Sequence, residues 1–166
     1  MNEELLKYAA GTVERLKAEQ LLISCAESCT GGLLSALITT VPGASTVFEL
    51  SVCTYSPRFK TKILGVKPET LQEKGAVSRD TAAQMAAGIR LLSGADIGIS
   101  ITGAAGPDAA DGKEPGTVYI ALSDGKSVRI EKLQITYESR VQTQEAAVLA
   151  MFDFVNQYLE KRRNTQ

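Results

Sequence analysis

The sequence predicts an α/β fold, a three-layer α/β/α sandwich built on a mixed sheet. Three observations carry this. From residue 3 to residue 101, segments with helical spacing of apolar residues alternate with short apolar or β-branched segments. That order lays helices on both faces of a largely parallel sheet. Two more strand-like segments then meet across Ser123-Asp124-Gly125-Lys126, a hairpin turn that adds antiparallel pairing. A length of 166 residues fits one domain, with roughly 70% of the unfolded surface buried.

The elements follow in order. Residues 3–18 align Leu5, Leu6, Ala9, Ala10, Val13 and Leu16 on one helical stripe, with charge opposite. Residues 20–25 read as a short strand. A helix over 30–40 turns Leu33, Leu34, Leu37 and Ile38 inward and stops at Pro42-Gly43. Residues 46–54 are β-branched and partly alternating, as in a strand. Pro57 fits the first turn of a short helix to Leu64, closed by Gly65; Pro68 begins a second over 67–73. Ser78 is the N-cap of a longer helix through Leu92, with Thr81 rather than Glu three positions on. Residues 95–101 form a continuous apolar strand, and 102–116 a long loop rich in Gly, Pro and Asp. Strands over 118–122 and 128–135 flank the hairpin turn, and a final helix runs from Glu138 to Lys161.

Eighteen Lys and Arg against nineteen Asp and Glu give a net charge of −1, which argues against general electrostatic binding to nucleic acid. Lys161-Arg162-Arg163 suits a solvated helix end, where cations complement the dipole. Three cysteines, an odd count, and charged residues at Glu3, Glu4 and Lys7 point to a reducing, cytoplasmic setting without a signal core. No apolar run approaches the ~20 residues of a membrane span. Cys25, Cys29 and Cys53 give only thin support for zinc. The chain has no histidine, so a Ser-His-Asp or Cys-His arrangement within it is excluded. A hydrolytic base must come from Lys, Tyr, Asp or Glu.

The right-handed crossover rule brings segments 26–32, 54–60 and 102–107 to one edge of the sheet, where open α/β sheets bind ligands. Residues 26–32 read Ala-Glu-Ser-Cys-Thr-Gly-Gly. Ser28 is the candidate nucleophile, with the amides of residues 29–32 at a helix start near Thr30 as an oxyanion hole. Gly31 and Gly32 allow close approach of backbone to a ligand. A turn rich in small residues because they fit is the plain alternative. Lys60 lies about one turn into its helix, beside Tyr55. Lowering its pKa from ~10.4 to ~7–8 takes roughly 3–4 kcal/mol of environmental bias, which burial beside Arg58 would supply. Lys62 is a rival for the role, and a solvated lysine is the plain alternative. In the loop, Thr102, Gly103 and Gly106 offer amides to an anion. Arg140, near the start of the last helix, suits a bidentate phosphate clamp.

Together these pieces resemble the C-terminal domain of the CinA competence/damage-inducible family, which includes stand-alone nicotinamide mononucleotide deamidases. The matching stretches are Ala26 to Gly32, Thr54-Tyr55-Ser56 with Lys60, Gly75-Ala76-Val77-Ser78, Gly103 with Gly106-Pro107-Asp108, and Gly116-Thr117-Val118. The resemblance implies one such domain over residues 1–166, on a mixed, mostly parallel five-stranded sheet. It implies a Ser/Lys amidohydrolase of pyridine nucleotide salvage that uses neither metal nor cofactor. Its products are nicotinic acid mononucleotide and ammonia. On that pattern Ser28 is the nucleophile, Lys60 its base and Tyr55 their neighbour, with Thr30, Gly31, Gly32, Thr102, Gly103, Gly106 and Arg140 binding substrate. The implied partner is a small nucleotide, not nucleic acid or membrane, and the implied assembly a homodimer. The sequence departs from the family at Pro57 (usually Asn), at Ala109 and Ala110 (usually Gly-Gly), and at Gln144 (usually a second arginine). Two alternatives therefore stand beside this reading: a paralogue that binds a nucleotide-like ligand without turnover, and a Ser/Lys amidase for another amide.

Overall fold

In the computed structural model, which describes residues 2–136 and 139–164, Asn2 caps helix α1 (Glu3–Glu19), its side chain accepting from the Glu4 N–H at 2.9 Å. The fully buried strand β1 (Ile23–Glu27) follows, then α2 (Leu33–Thr39), a 3₁₀ turn at Ala44–Thr46 and β2 (Phe48–Cys53). Three helices come next: α3 (Pro57–Leu64), α4 (Pro68–Lys74) and α5 (Arg79–Ser93). Strands β3 (Ile97–Gly103), β4 (Thr117–Ser123) and β5 (Val128–Gln134) lead to α6 (Arg140–Arg163). The expected start of the last helix, Glu138, lies outside the described residues.

The five strands form one mixed sheet in the order β2-β1-β3-β4-β5. Strand β1 pairs in parallel with both β2 and β3, while β3–β4 and β4–β5 are antiparallel. Four strands thus share a direction and β4 opposes them. From β1 the chain crosses outward to β2, then back past β1 to β3. Right-handed crossovers in opposite directions put their helices on opposite faces. Helices α1, α2 and α6 accordingly pack together on one face, and α3, α4 and α5 on the other. The larger core joins Leu5, Val13 and Leu16 of α1 to Met151, Phe152 and Val155 of α6 across Ile23, Ile99 and Ile120. The second core sets Met85 and Ile89 of α5 against Leu64 and Val66.

Three differences from the sequence reading bear on the site. Strand β1 is shifted toward the C-terminus of the expected 20–25, because Gln20 is in a left-handed cap (φ 54°) and pairing with Phe48 and Ile97 begins only at Ile23. Helix α2 begins at Leu33 rather than near Thr30, because Gly31 (φ 61°) and Gly32 (φ 99°) hold a left-handed turn first. Strands β1 and β2 end level with one another, Glu27 pairing with both Cys53 and Ile101, and β3 runs two residues further, so Thr102 and Gly103 end that strand rather than open the expected loop. The segments that leave them therefore meet at one edge. The antiparallel β4 starts at the same edge, with Val118 opposite Gly103.

Candidate active site

That edge holds a cavity of about 260 Å³ lined by Ser28, Tyr55, Lys60, Thr102, Gly103, Gly106 and Arg140, among others. Seven of the expected site residues are thus brought together. Ser28 opens the turn after β1 and is 8% exposed. Helix α3 places Lys60 from the neighbouring connection. Pro57 stands at its first position and Gly65 ends it. Lys60 and Leu64, four apart on a helix, share its inward face. Gly88 of α5 lets that face come close: a Cβ there would lie 1.9 Å from the Leu64 carbonyl oxygen.

Lys60 is 1% exposed. Its Nζ donates to Ser28 Oγ at 2.9 Å and to the Thr54 carbonyl. Burial disfavours the ammonium, and the Lys60 pKa is lowered to about 8. Thiolates at Cys29 and Cys53 would pull it back up, as would Asp111. Burial, however, pushes the Cys29 thiol up to about 12 and raises that of Cys53. Both thiols are therefore protonated near neutrality, and neither competes with Ser28 as nucleophile. Arg58, the cation expected beside Lys60, does not line the cavity: it lies over the Phe59 ring, 4.8 Å from its centroid. Desolvation does the work assigned to it. Lys62 is exposed, on the outer side of α3, 5.9 Å above the same ring.

The structure corrects the expected roles of Thr30, Gly31 and Gly32, none of which lines the cavity. The Thr30 hydroxyl and the Gly31 and Gly32 N–H groups are taken by the protein itself, which leaves Thr30 only its backbone N–H to offer. Glu27, fully buried at the end of β1, accepts from Thr30 Oγ1 (2.7 Å), the Gly32, Leu34 and Ser35 N–H groups (3.1, 3.1 and 2.9 Å) and Ser35 Oγ (2.8 Å). A carboxylate thus occupies the α2 N-terminus, where free amides were expected to meet an oxyanion. The Gly31 N–H donates to the Ser28 carbonyl at 3.1 Å. Among the described residues, no carbonyl or carboxylate accepts from the Cys29 or Thr30 amide, and the Cys29 N–H faces its own thiol. Glu27 escaped the sequence reading because it was read as part of the turn after the strand, whereas it ends β1 and is fully buried. The signal available was an acidic residue just ahead of a helix start, where a carboxylate suits the free amides.

At the cavity mouth, Arg140 donates to the Gly106 carbonyl (2.6 Å) and to Tyr55 Oη (2.8 Å). Tyr55 itself is 63% exposed. Thr102 Oγ1 donates to the Ala76 carbonyl at 2.7 Å, which leaves its oxygen able to accept. Pro57, where the family usually has Asn, lines the wall. Ala109 and Ala110 need no left-handed backbone, because the loop turns at Gly106, Asp111, Gly112 and Gly116 instead. Asp111 Oδ2 accepts from the Val77 N–H at 3.0 Å and holds the loop over the cavity. Gln144, where a second arginine was expected, donates from Nε2 to the Cys29 carbonyl at 2.7 Å. Among the described residues, no group of three His, Cys, Asp or Glu is arranged to hold a metal ion, and no helix is long and apolar enough to cross a membrane.

Fold and site define an α/β protein with a buried Ser–Lys pair at the carboxyl edge of a 2-1-3-4-5 sheet. A family model described as the CinA C-terminal domain matches residues 6–159, and the chain belongs to that family. A CinA-superfamily crystal structure from Klebsiella pneumoniae superposes with a TM-score of 0.92 at 29% identity, over 97% of this chain and 99% of that one. The competence/damage-inducible protein of Agrobacterium tumefaciens gives 0.90 at 31% identity, over 96% and 98%. A CinA-like protein of Kosmotoga olearia is 45% identical over 148 residues, 89% of this chain but 36% of that protein. A protein of Acetivibrio thermocellus named for competence-damage induction is 42% identical over 160 residues, 96% of this chain and 38% of its own length. The chain therefore spans under two fifths of these longer relatives.

Proposed function

We propose that this chain is a Ser/Lys amidohydrolase that hydrolyses the carboxamide of nicotinamide mononucleotide to nicotinic acid mononucleotide and ammonia. The observation that carries the reading is the 2.9 Å contact between Ser28 Oγ and a lysine buried deeply enough to lose its proton near pH 8. Neutral Lys60 takes the hydroxyl proton as Ser28 Oγ bonds to the carboxamide carbon. The carbonyl electrons move to oxygen, which the Cys29 and Thr30 amides receive. Lys60 then gives its proton to the amide nitrogen, the C–N bond breaks and ammonia leaves. Water attacks the resulting ester, passing a proton through Lys60 to Ser28, and releases the carboxylate.

Arg140 suits the ribose phosphate. It borders a second cavity of about 270 Å³ that shares Ala105 and Gly106 with the first, and a ring in the first with a phosphate in the second would both lie within its reach. The test is to incubate purified protein with nicotinamide mononucleotide, nicotinamide riboside and a panel of simple amides, measuring ammonia. Release from the mononucleotide well above the others is expected. Release from a different amide alone would redirect the reading, and binding of the mononucleotide without any ammonia would overturn it.

A further inference from the structure

We propose that Gln144 is a positioning residue: its side-chain amide fixes the Cys29–Thr30 peptide so that the Thr30 N–H, beside the Cys29 N–H, meets the oxyanion formed at Ser28. The inference rests on the reading of Ser28 as nucleophile.

In a trans peptide the N–H points opposite to the C=O, so whatever ties a carbonyl also aims the amide behind it. The Ser28 carbonyl is tied by the Gly31 N–H at 3.1 Å, which aims the Cys29 N–H the other way. The Cys29 carbonyl has no such local partner. The Gly32 N–H goes to Glu27 and the Leu33 N–H to the Thr30 carbonyl. Its donor comes instead from 115 positions away, Gln144 Nε2 at 2.7 Å. Only the NH₂ end of the amide can donate to a carbonyl, so the orientation of the side chain is set by its partner. Without Gln144 the Cys29 carbonyl would lose the donor that holds it, and with it the bond that favours this orientation of the peptide.

Gln144 stands one turn beyond Arg140 on α6, and Arg140 lines the cavity that Cys29 also lines. The same helix thus carries one residue that faces the ligand and one that steadies the turn. A neutral donor does this second task without adding a cation to the site. Arginine at the same place has donors that would reach the same carbonyl.

The experiment compares wild type with Gln144→Leu, Gln144→Glu and Gln144→Arg. Each is checked for folding by thermal unfolding, then assayed with nicotinamide mononucleotide across pH and for acetylation of Ser28 by p-nitrophenyl acetate. Gln144→Leu and Gln144→Glu are expected to lower kcat by ~10- to 100-fold, a fraction of the value of one oxyanion donor. KM should stay within about 3-fold, and the pH inflection should not move, because Lys60 is untouched. Gln144→Arg should recover most of the rate. Wild-type kcat in folded Gln144→Leu, a change in KM alone, or no recovery with arginine would overturn the proposal. If wild type leaves the mononucleotide intact, slower acetylation in Gln144→Leu that recovers in Gln144→Arg upholds the positioning role and rejects only the substrate. Acetylation at wild-type rate in all variants overturns it.

Discussion

Lys60 Nζ lies 2.9 Å from Ser28 Oγ, although the two residues stand 32 positions apart and reach the site from different connections of the sheet. The adjacent parallel strands β1 and β2 end level and bring those connections together, and Lys60 lies on the inward face of α3.

Substituting Lys60 should separate activity from stability. Lys60→Met keeps the length of the side chain and removes the buried cation. Turnover should fall by roughly 10²- to 10⁴-fold, the range for a positioned base. The melting temperature at pH 7 should hold or rise. Assay and thermal unfolding on the same preparation check both.

The Lys60 pKa fixes two pH dependences. The base acts as the free amine, so kcat/KM should rise with pH through an inflection near 8. Stability also depends on pH, because the lysine binds its proton more weakly folded, at about 8, than unfolded, at 10.5. Between those values the unfolded chain binds more protons, so stability rises with pH. The increment is about 3 kcal/mol from pH 8 to pH 10.5, and Lys60 contributes no slope below pH 7. Denaturant unfolding at pH 7, 9 and 10 should show the rise in wild type and not in Lys60→Met.

Glu27→Gln replaces a pure acceptor by a group with its own N–H donors, facing three backbone amides and two hydroxyls. Leaving buried donors unpaired costs about 1–3 kcal/mol each. A loss of several kcal/mol in denaturant stability is expected, together with reduced turnover from a displaced Ser28. The denaturation midpoint and kcat check it.

Gly88→Ala puts a methyl 1.9 Å from the Leu64 carbonyl oxygen and forces α3 away from α5. Overpacking of this kind costs typically 1–3 kcal/mol. Because α3 carries Lys60, kcat should fall as well, whereas an overpacked site remote from α3 would lower stability alone. Thermal unfolding and kcat measured together distinguish the two.

Arg140→Lys keeps the charge and gives up the fork that spans Gly106 and Tyr55. KM for nicotinamide mononucleotide should rise by about tenfold, with a smaller change in kcat. Equal loss with the mononucleotide and with the riboside, which lacks the phosphate, would place Arg140 away from the phosphate.

Much of this was legible in the chain. Pro57 and Gly65 marked both ends of α3, and Ser78 the start of α5, because caps and breakers act locally. Ser28, Lys60, Tyr55, Thr102, Gly103 and Gly106 could be grouped because strand order alone brings their segments to one edge, whereas Arg140 reaches it from the last helix. Long-range partners were not legible. Glu27 looked like one more polar residue in a turn motif until α2 folded over it. Gln144 looked like a lost charge until α6 packed beside the turn, 115 positions from the carbonyl it holds. Lys60 is buried on the inward face of α3, which packs on α5, and the short run 57–64 does not reveal that packing.

The most direct test of the central claim is ammonia release from nicotinamide mononucleotide by wild type and by folded Ser28→Ala, measured side by side near pH 8. The account predicts steady release by wild type and, in the variant, a rate lower by at least ~10³-fold. Release by Ser28→Ala at a rate near that of wild type would contradict it.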